Sequence, residues 1–314
     1  MPESQDPVAA NLLGDLLSRW DVLDPLAFIV LLATVAYLFG AFRIASRSRT
    51  SILDRKRIYA GIAGYASLYI ALAGPFDAFA PEAFWLHMTQ HIIISMISAP
   101  LLLLSSPMAA FLWAMPETMR MGAGDLLKRD GAIQRILRWL IDPRITVPLF
   151  MGTLYAWHAP ALFSAALNNN YVHYLQHFTF FTTSALFWWP IIGPAPVRSK
   201  LKYPARLLYL LSVVTPTAVL ASIITMTHSV IYKDYLGSPM HWGMTPLEDQ
   251  TLAGLILWIP GNALYLAALT AIFFTWASHE SKDAVTAPRT PVRRRGPAPV
   301  RGGTLQKPAG KAEK

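Results

Sequence analysis

Two histidine pairs in this chain repeat one spacing: His87 and His91 in FWLHMTQH, and His173 and His177 in YVHYLQH. Residues i and i+4 share a helix face, so each pair can present two imidazole nitrogens to one point. His158, in YAWHAPALF, offers a fifth ring. Imidazole suits copper, zinc, iron or nickel. The chain has no cysteine, which excludes a thiolate cage and a disulfide framework. Thioether sulfur is a soft donor that favours Cu(I). Met88 directly follows His87, Met226 and His228 stand in ITMTHS, and Met240, His241 and Met244 fall in MHWGM. These residue types predict a metal site built from His87, His91, His158, His173 and His177, with copper a better fit than zinc. His228, His241, Met226, Met240 and Met244 are further candidates, the methionines as ligands at the mouth of the site.

The same residues admit plainer roles. A membrane histidine can simply hydrogen-bond a neighbouring helix, and methionine is an adaptable core filler. Asp249, in EDQTLAGL, is expected either to cap the helix it opens or to orient a ligand histidine. Histidines from two facing helices could instead ligate haem iron. A transporter or metal-dependent enzyme could line a path with them, but few polar residues continue toward the other ends of the apolar runs. No nucleophile elbow, phosphate-cradling glycine loop or carboxylate pair is present, so a non-enzymatic role is expected.

The elements that must position these rings are membrane helices. Of the 314 residues, 54% are hydrophobic and 14% charged, where a soluble domain carries about 25% charged residues. Apolar runs at about 25–46, 57–76, 83–104, 144–167, 172–196, 206–228 and 251–277 predict an all-α bundle of seven spans. MAAFLWAM, at 108–115, extends the third run or lies in the interface, and a cytoplasmic amphipathic segment is expected at about 122–142. Pro100, Pro160, Pro216 and Pro260 are expected to kink their spans, and Trp188 and Trp189 to belong to a packed or an interfacial aromatic belt. Basic residues crowd alternate loops and the tail, leaving only Arg19 and Lys233 on the other side. The positive-inside rule then puts the N-terminus outside and the C-terminus in the cytoplasm. All the histidines but His279 thereby fall at or near the outer face.

Three regions follow: a short periplasmic segment at 1–24, with no signal-peptide pattern, the membrane domain at 25–277, and a basic tail at 278–314. The tail is rich in Pro, Gly and Arg, so it is expected to be disordered and to meet anionic lipid rather than nucleic acid.

H-M-x-Q-H followed by A-P-L-L-L-L-S-S-P resembles the signature of the CtaG-type cytochrome c oxidase assembly factors, linked to caa-type haem–copper oxidases. The resemblance continues through W-H-x-P-x-x-F at 157–163, V-H-Y-L-Q-H at 172–177, F-W-W-P at 187–190 and D-Q-x-L-A-G-L-I-L-W at 249–258. It departs from the family at Gln176, where Glu is common. The resemblance implies a seven-span protein of the bacterial plasma membrane that works with haem–copper oxidase subunits. Its implied task is to supply or insert copper on the outer side. His87 and His91 would form one face of the site, His173 and His177 the other, and His158 a deeper ligand or relay.

Overall fold

The computed structural model describes residues 14, 18–22, 24–47, 53–127, 131–238 and 243–286. The chain divides into two units, Met1–Phe274 and Thr275–Lys314, and the site lies in the first. The helices are α1 (Pro25–Arg47), α2 (Arg55–Ala73), α3 (Pro75–Ala78), α4 (Phe84–Ile92), α5 (Ala99–Leu104), α6 (Pro107–Ala114) and α7 (Glu117–Leu126). They continue as α8 (Ala132–Leu140), α9 (Pro143–His158), α10 (Pro160–Asn168), α11 (Asn170–Ile192), α12 (Tyr203–Met226) and α13 (Pro246–Thr286). No strand occurs among the described residues.

Five helical stretches are long and apolar enough to cross a membrane: Pro25–Ser46, Arg55–Ala78, Phe84–Leu104, Tyr203–Met226 and Pro246–Ser281. The two remaining expected spans read differently. The run at 144–167 is broken, because Pro160 has no N–H and holds Ala159 extended at ψ 128°, so α9 stops and α10 starts afresh. Helix α11 has 23 residues, but its imidazoles, amide and hydroxyls lower its hydropathy, and it is not one of the five. Helix α13 runs to Thr286, past the boundary expected at Ser278; the rest of the basic tail lies outside the described residues. The amphipathic stretch forms two short helices, α7 and α8, in place of one, and α8 exposes Ile133, Ile136 and Trp139 on one side.

The stretch Phe84–Leu104 is the centre of the bundle: 72% of its most apolar window is buried, against 22–44% for the other four. Helix α2 packs on one side of it and α11 on the other, while α9 packs against α11 and α12 against α9. Between α4 and α5, residues Ile93–Ser98 form a π-helical turn. Its cause is local. Pro100 can neither donate to nor sit against the carbonyl four residues back, and the widened turn lets Ala99 N–H bond the Ile94 oxygen. The Ser95 oxygen that an α-helix would have used instead accepts Trp188 Nε1–H at 3.1 Å. That bond ties α11 to the central helix, so Trp188, 4% exposed, takes the packed one of the two roles expected.

After Ser106, held at φ 54°, the chain reverses, and α6 packs back on α1. The two backbones meet at Gly40, where any Cβ would collide with the carbonyl oxygen of Ala110. MAAFLWAM is therefore not a continuation of the third span.

Candidate metal centre

Helix α4 carries the first histidine pair, and its start is fixed from outside. Its N-cap, Ala83, has no side chain to satisfy the free N–H groups of the first turn. Asp249 of α13 does so instead, accepting from Phe84 N at 2.8 Å and Trp85 N at 2.9 Å. Its own helix is capped by Thr245 and Glu248, which bond reciprocally through Thr245 N to Glu248 Oε2 at 2.8 Å and Glu248 N to Thr245 Oγ1 at 3.3 Å. Asp249 thus acts on the backbone of the histidine helix, one turn before His87, and on neither of the two groups expected.

The four paired rings converge. His87 Nε2 and His91 Nε2 lie 3.0 Å apart and are hydrogen-bonded, one ring donating to the other. Ring centroids are 5.4 Å apart for His87 and His173, 5.8 Å for His91 and His177, and 4.2 Å for His173 and His177. Candidate ligand atoms of His87, His91 and His177 lie within 4.8 Å of one another, and so do those of Asp77, His173 and His177. His177 belongs to both groups. The carboxylate of Asp77 is held by Gln90 Nε2 at 2.7 Å, and the same amide also donates to Ala71 O at 2.8 Å.

Hydrogen bonds select the tautomer of His87. The Tyr235 hydroxyl donates to Ala80 O at 2.8 Å and lies 3.3 Å from His87 Nδ1. Burial, reinforced by Asp249, pushes this phenol well above its ordinary range, so it keeps its proton. With that proton engaged by Ala80, the oxygen must accept from His87 Nδ1–H, which leaves the lone pair on Nε2. An N–H anchored in this way is the usual companion of a metal-ligating histidine. At typical metal–nitrogen distances of about 2.0–2.1 Å, Nε2 atoms 3.0 Å apart subtend roughly 94° at a shared ion. That angle suits a first-row metal.

Nearby nitrogens point the same way. His91 Nδ1, His173 Nε2 and His177 Nε2 are buried without a hydrogen-bond partner, and each such buried group costs about 1–3 kcal/mol if left unsatisfied. Together with Asp77 these adjoining rings form groups that could hold a metal ion.

Not every candidate joins this cluster. His158 is buried apart from it, with Nδ1 2.7 Å from Leu154 O and Nε2 3.4 Å from Met88 Sδ. Met226 is 65% exposed at the end of α12, His228 is exposed just beyond, and Met244 is half-buried ahead of α13. Met240 and His241 lie outside the described residues. The sequence reading overlooked Asp77, Gln90 and Tyr235. A carboxylate directly after an apolar run, as in ALAGPFDAF, was the available signal for Asp77, since ionisable groups at membrane depth are costly and mostly functional. Tyr235 had no local signal, because it reaches the site across 148 residues.

The sequence profile of the cytochrome c oxidase caa3 assembly factors matches residues 35–279, a stretch that contains both histidine pairs, Asp77 and Asp249. Uncharacterized proteins of Mycobacterium bovis and Mycobacterium tuberculosis are each 27% identical over 290 residues, covering 89% of this chain and 42% of theirs. One from Mycobacterium leprae is 25% identical over 281 residues, covering 86% of this chain and 41% of its own. The chain therefore spans about two-fifths of the length of the curated relatives it matches. No solved structure matches it. With a profile match across most of its length, the chain belongs to the cytochrome c oxidase caa3 assembly factor family.

Proposed function

We propose that this chain serves oxidase assembly by holding copper at the centre formed by His87, His91, His173, His177 and Asp77 and passing it to a haem–copper oxidase subunit. The observation that carries the reading is the pair of Nε2 atoms 3.0 Å apart, with His87 fixed in the ligating tautomer by Tyr235. Neutral imidazoles and one carboxylate hold a copper ion without the thiolate cage of a storage site. A bis-histidine haem fits less well, since the four rings pack against one another and leave no flat slot between them. The role is that of a carrier and not a catalyst.

In this reading the five long apolar helices, the broken pair α9 and α10, and α11 make seven crossings of a bacterial plasma membrane. The histidine end faces outward, the C-terminus is cytoplasmic, and the basic tail meets anionic lipid. The test is deletion in the native host, followed by elemental analysis of the purified oxidase. Oxidase depleted of copper, and restored by the wild-type gene but not by a His87→Ala/His91→Ala variant, is the expected result. Oxidase with full copper and activity in the deletion strain overturns the proposal.

A further inference from the structure

His158 and Met88 meet in a way that hydrogen bonding does not explain. The Leu154 carbonyl, 2.7 Å from His158 Nδ1, can only accept, so Nδ1 carries the proton and the Nε2 lone pair is free. That nitrogen lies 3.4 Å from the Met88 sulfur, itself only a weak acceptor. Two electron-pair donors thus face each other with no hydrogen between them. An imidazolium would supply one, but no carboxylate is among the residues around it, only the hydroxyl residues Ser95, Thr217 and Tyr265 beside apolar side chains. The Tyr232 hydroxyl donates to the His158 carbonyl at 2.9 Å, which anchors the residue without engaging its ring.

Both side chains line a cavity of about 40 Å³, large enough for a water-sized occupant. Met96 and His91 line it too. His91 contributes Nε2 to the neighbouring cluster, and its Nδ1 is buried without a partner. A water in the cavity would bond His158 Nε2 and the Ser95 or Thr217 hydroxyls, which are buried without a partner, and would leave the sulfur unengaged. An ion set to one side of the pair engages nitrogen and sulfur together. With nitrogen at about 2.05 Å and sulfur at about 2.3 Å, donors 3.4 Å apart subtend roughly 103°, between tetrahedral and square geometry. A mixed imidazole–thioether pair with no carboxylate around it selects a soft ion of low charge.

We infer that His158 Nε2 and Met88 Sδ form a second, softer station for Cu(I), adjoining the histidine–carboxylate centre through the His91 ring. The inference rests on the copper reading above and adds a division of labour to it. The centre with Asp77 offers nitrogen and oxygen, and the inner station offers nitrogen and sulfur. Met88, His91 and His87 come from one turn of α4, so an ion moving between the stations stays on one rigid element.

The test is anaerobic loading of the full-length protein with Cu(I), followed by X-ray absorption at the copper edge and elemental analysis. Wild type is expected to show a sulfur shell near 2.3 Å. Met88→Leu, which conserves volume, is expected to lose that shell and part of the copper while retaining the nitrogen shell. His158→Gln is expected to do the same, and Met226→Leu to leave the spectrum unchanged. A nitrogen-only spectrum in wild type, or a sulfur shell surviving in both Met88→Leu and His158→Gln, overturns the inner station and leaves the copper proposal standing. Failure of wild type to bind copper overturns both.

Discussion

Tyr235→Phe is the substitution that most sharply separates a metal centre from a packed group of histidines. The aromatic ring remains and the contacts with Phe84 and Phe163 survive. What is lost is one oxygen that donates to Ala80 O at 2.8 Å and lies 3.3 Å from His87 Nδ1. The Ala80 oxygen and the His87 N–H are then left without it in a buried setting, at a cost of about 1–3 kcal/mol of stability for such a group. The second effect is specific to ligation. With Nδ1–H no longer anchored, the ring can turn or adopt the other tautomer, and loss of such a partner lowers metal affinity by about 10–100-fold. At about 1.4 kcal/mol per tenfold, that is roughly 1.4–2.8 kcal/mol of binding free energy. The assay is a chelator competition titration of copper, run beside thermal melting in detergent with and without the ion. Tyr232→Phe is the control, since its hydroxyl bonds a backbone oxygen and no ring nitrogen. A Tyr235→Phe protein that melts earlier but binds copper as tightly as wild type refutes the tautomer argument.

The other predictions concern the support of the site. Asp249→Ala removes the acceptor for two N–H groups of α4 and is expected to cost about 0.5–2 kcal/mol, read as a lower melting temperature; an unchanged melt contradicts the capping role. Asp77→Asn keeps a group that Gln90 can bond but removes the negative charge, so binding of Cu(II) should weaken by more than that of Cu(I). Equal losses for the two ions would place Asp77 outside the ligand set. Gly40→Ala forces α1 away from the Ala110 carbonyl and should cost about 1–3 kcal/mol, whereas Gly152→Ala, inside α9 where a Cβ meets open space, should stabilise by about 0.5–1 kcal/mol in the same melt.

How much of this was legible beforehand depended on the range of the interaction. The i, i+4 spacing of His87/His91 and His173/His177 is a local property, and the convergence of the two pairs follows once α4 and α11 pack side by side. The break at Pro160 was foreseen only as a kink, because one missing N–H does not say whether the chain bends or restarts. The π turn was hidden for a related reason: Pro100 leaves the Met96 carbonyl without its helical partner but does not say how the turn before it widens, and the Ser95 carbonyl that the widening releases is taken by Trp188, 93 residues away. Asp249 was misassigned because a carboxylate at a helix start ordinarily caps its own helix, and here Thr245 and Glu248 had already filled that place. The placement of His158 against Met88 is likewise a long-range result, invisible to spacing along either helix.

Metal binding at the histidine centre is the property on which the proposed function depends. The direct measurement is elemental analysis of purified wild type and His87→Ala/His91→Ala protein after Cu(I) loading and removal of free ion. Copper stoichiometric with wild-type protein and largely lost from the variant is the result predicted. Equal copper in the two proteins would contradict the assignment of these rings as ligands.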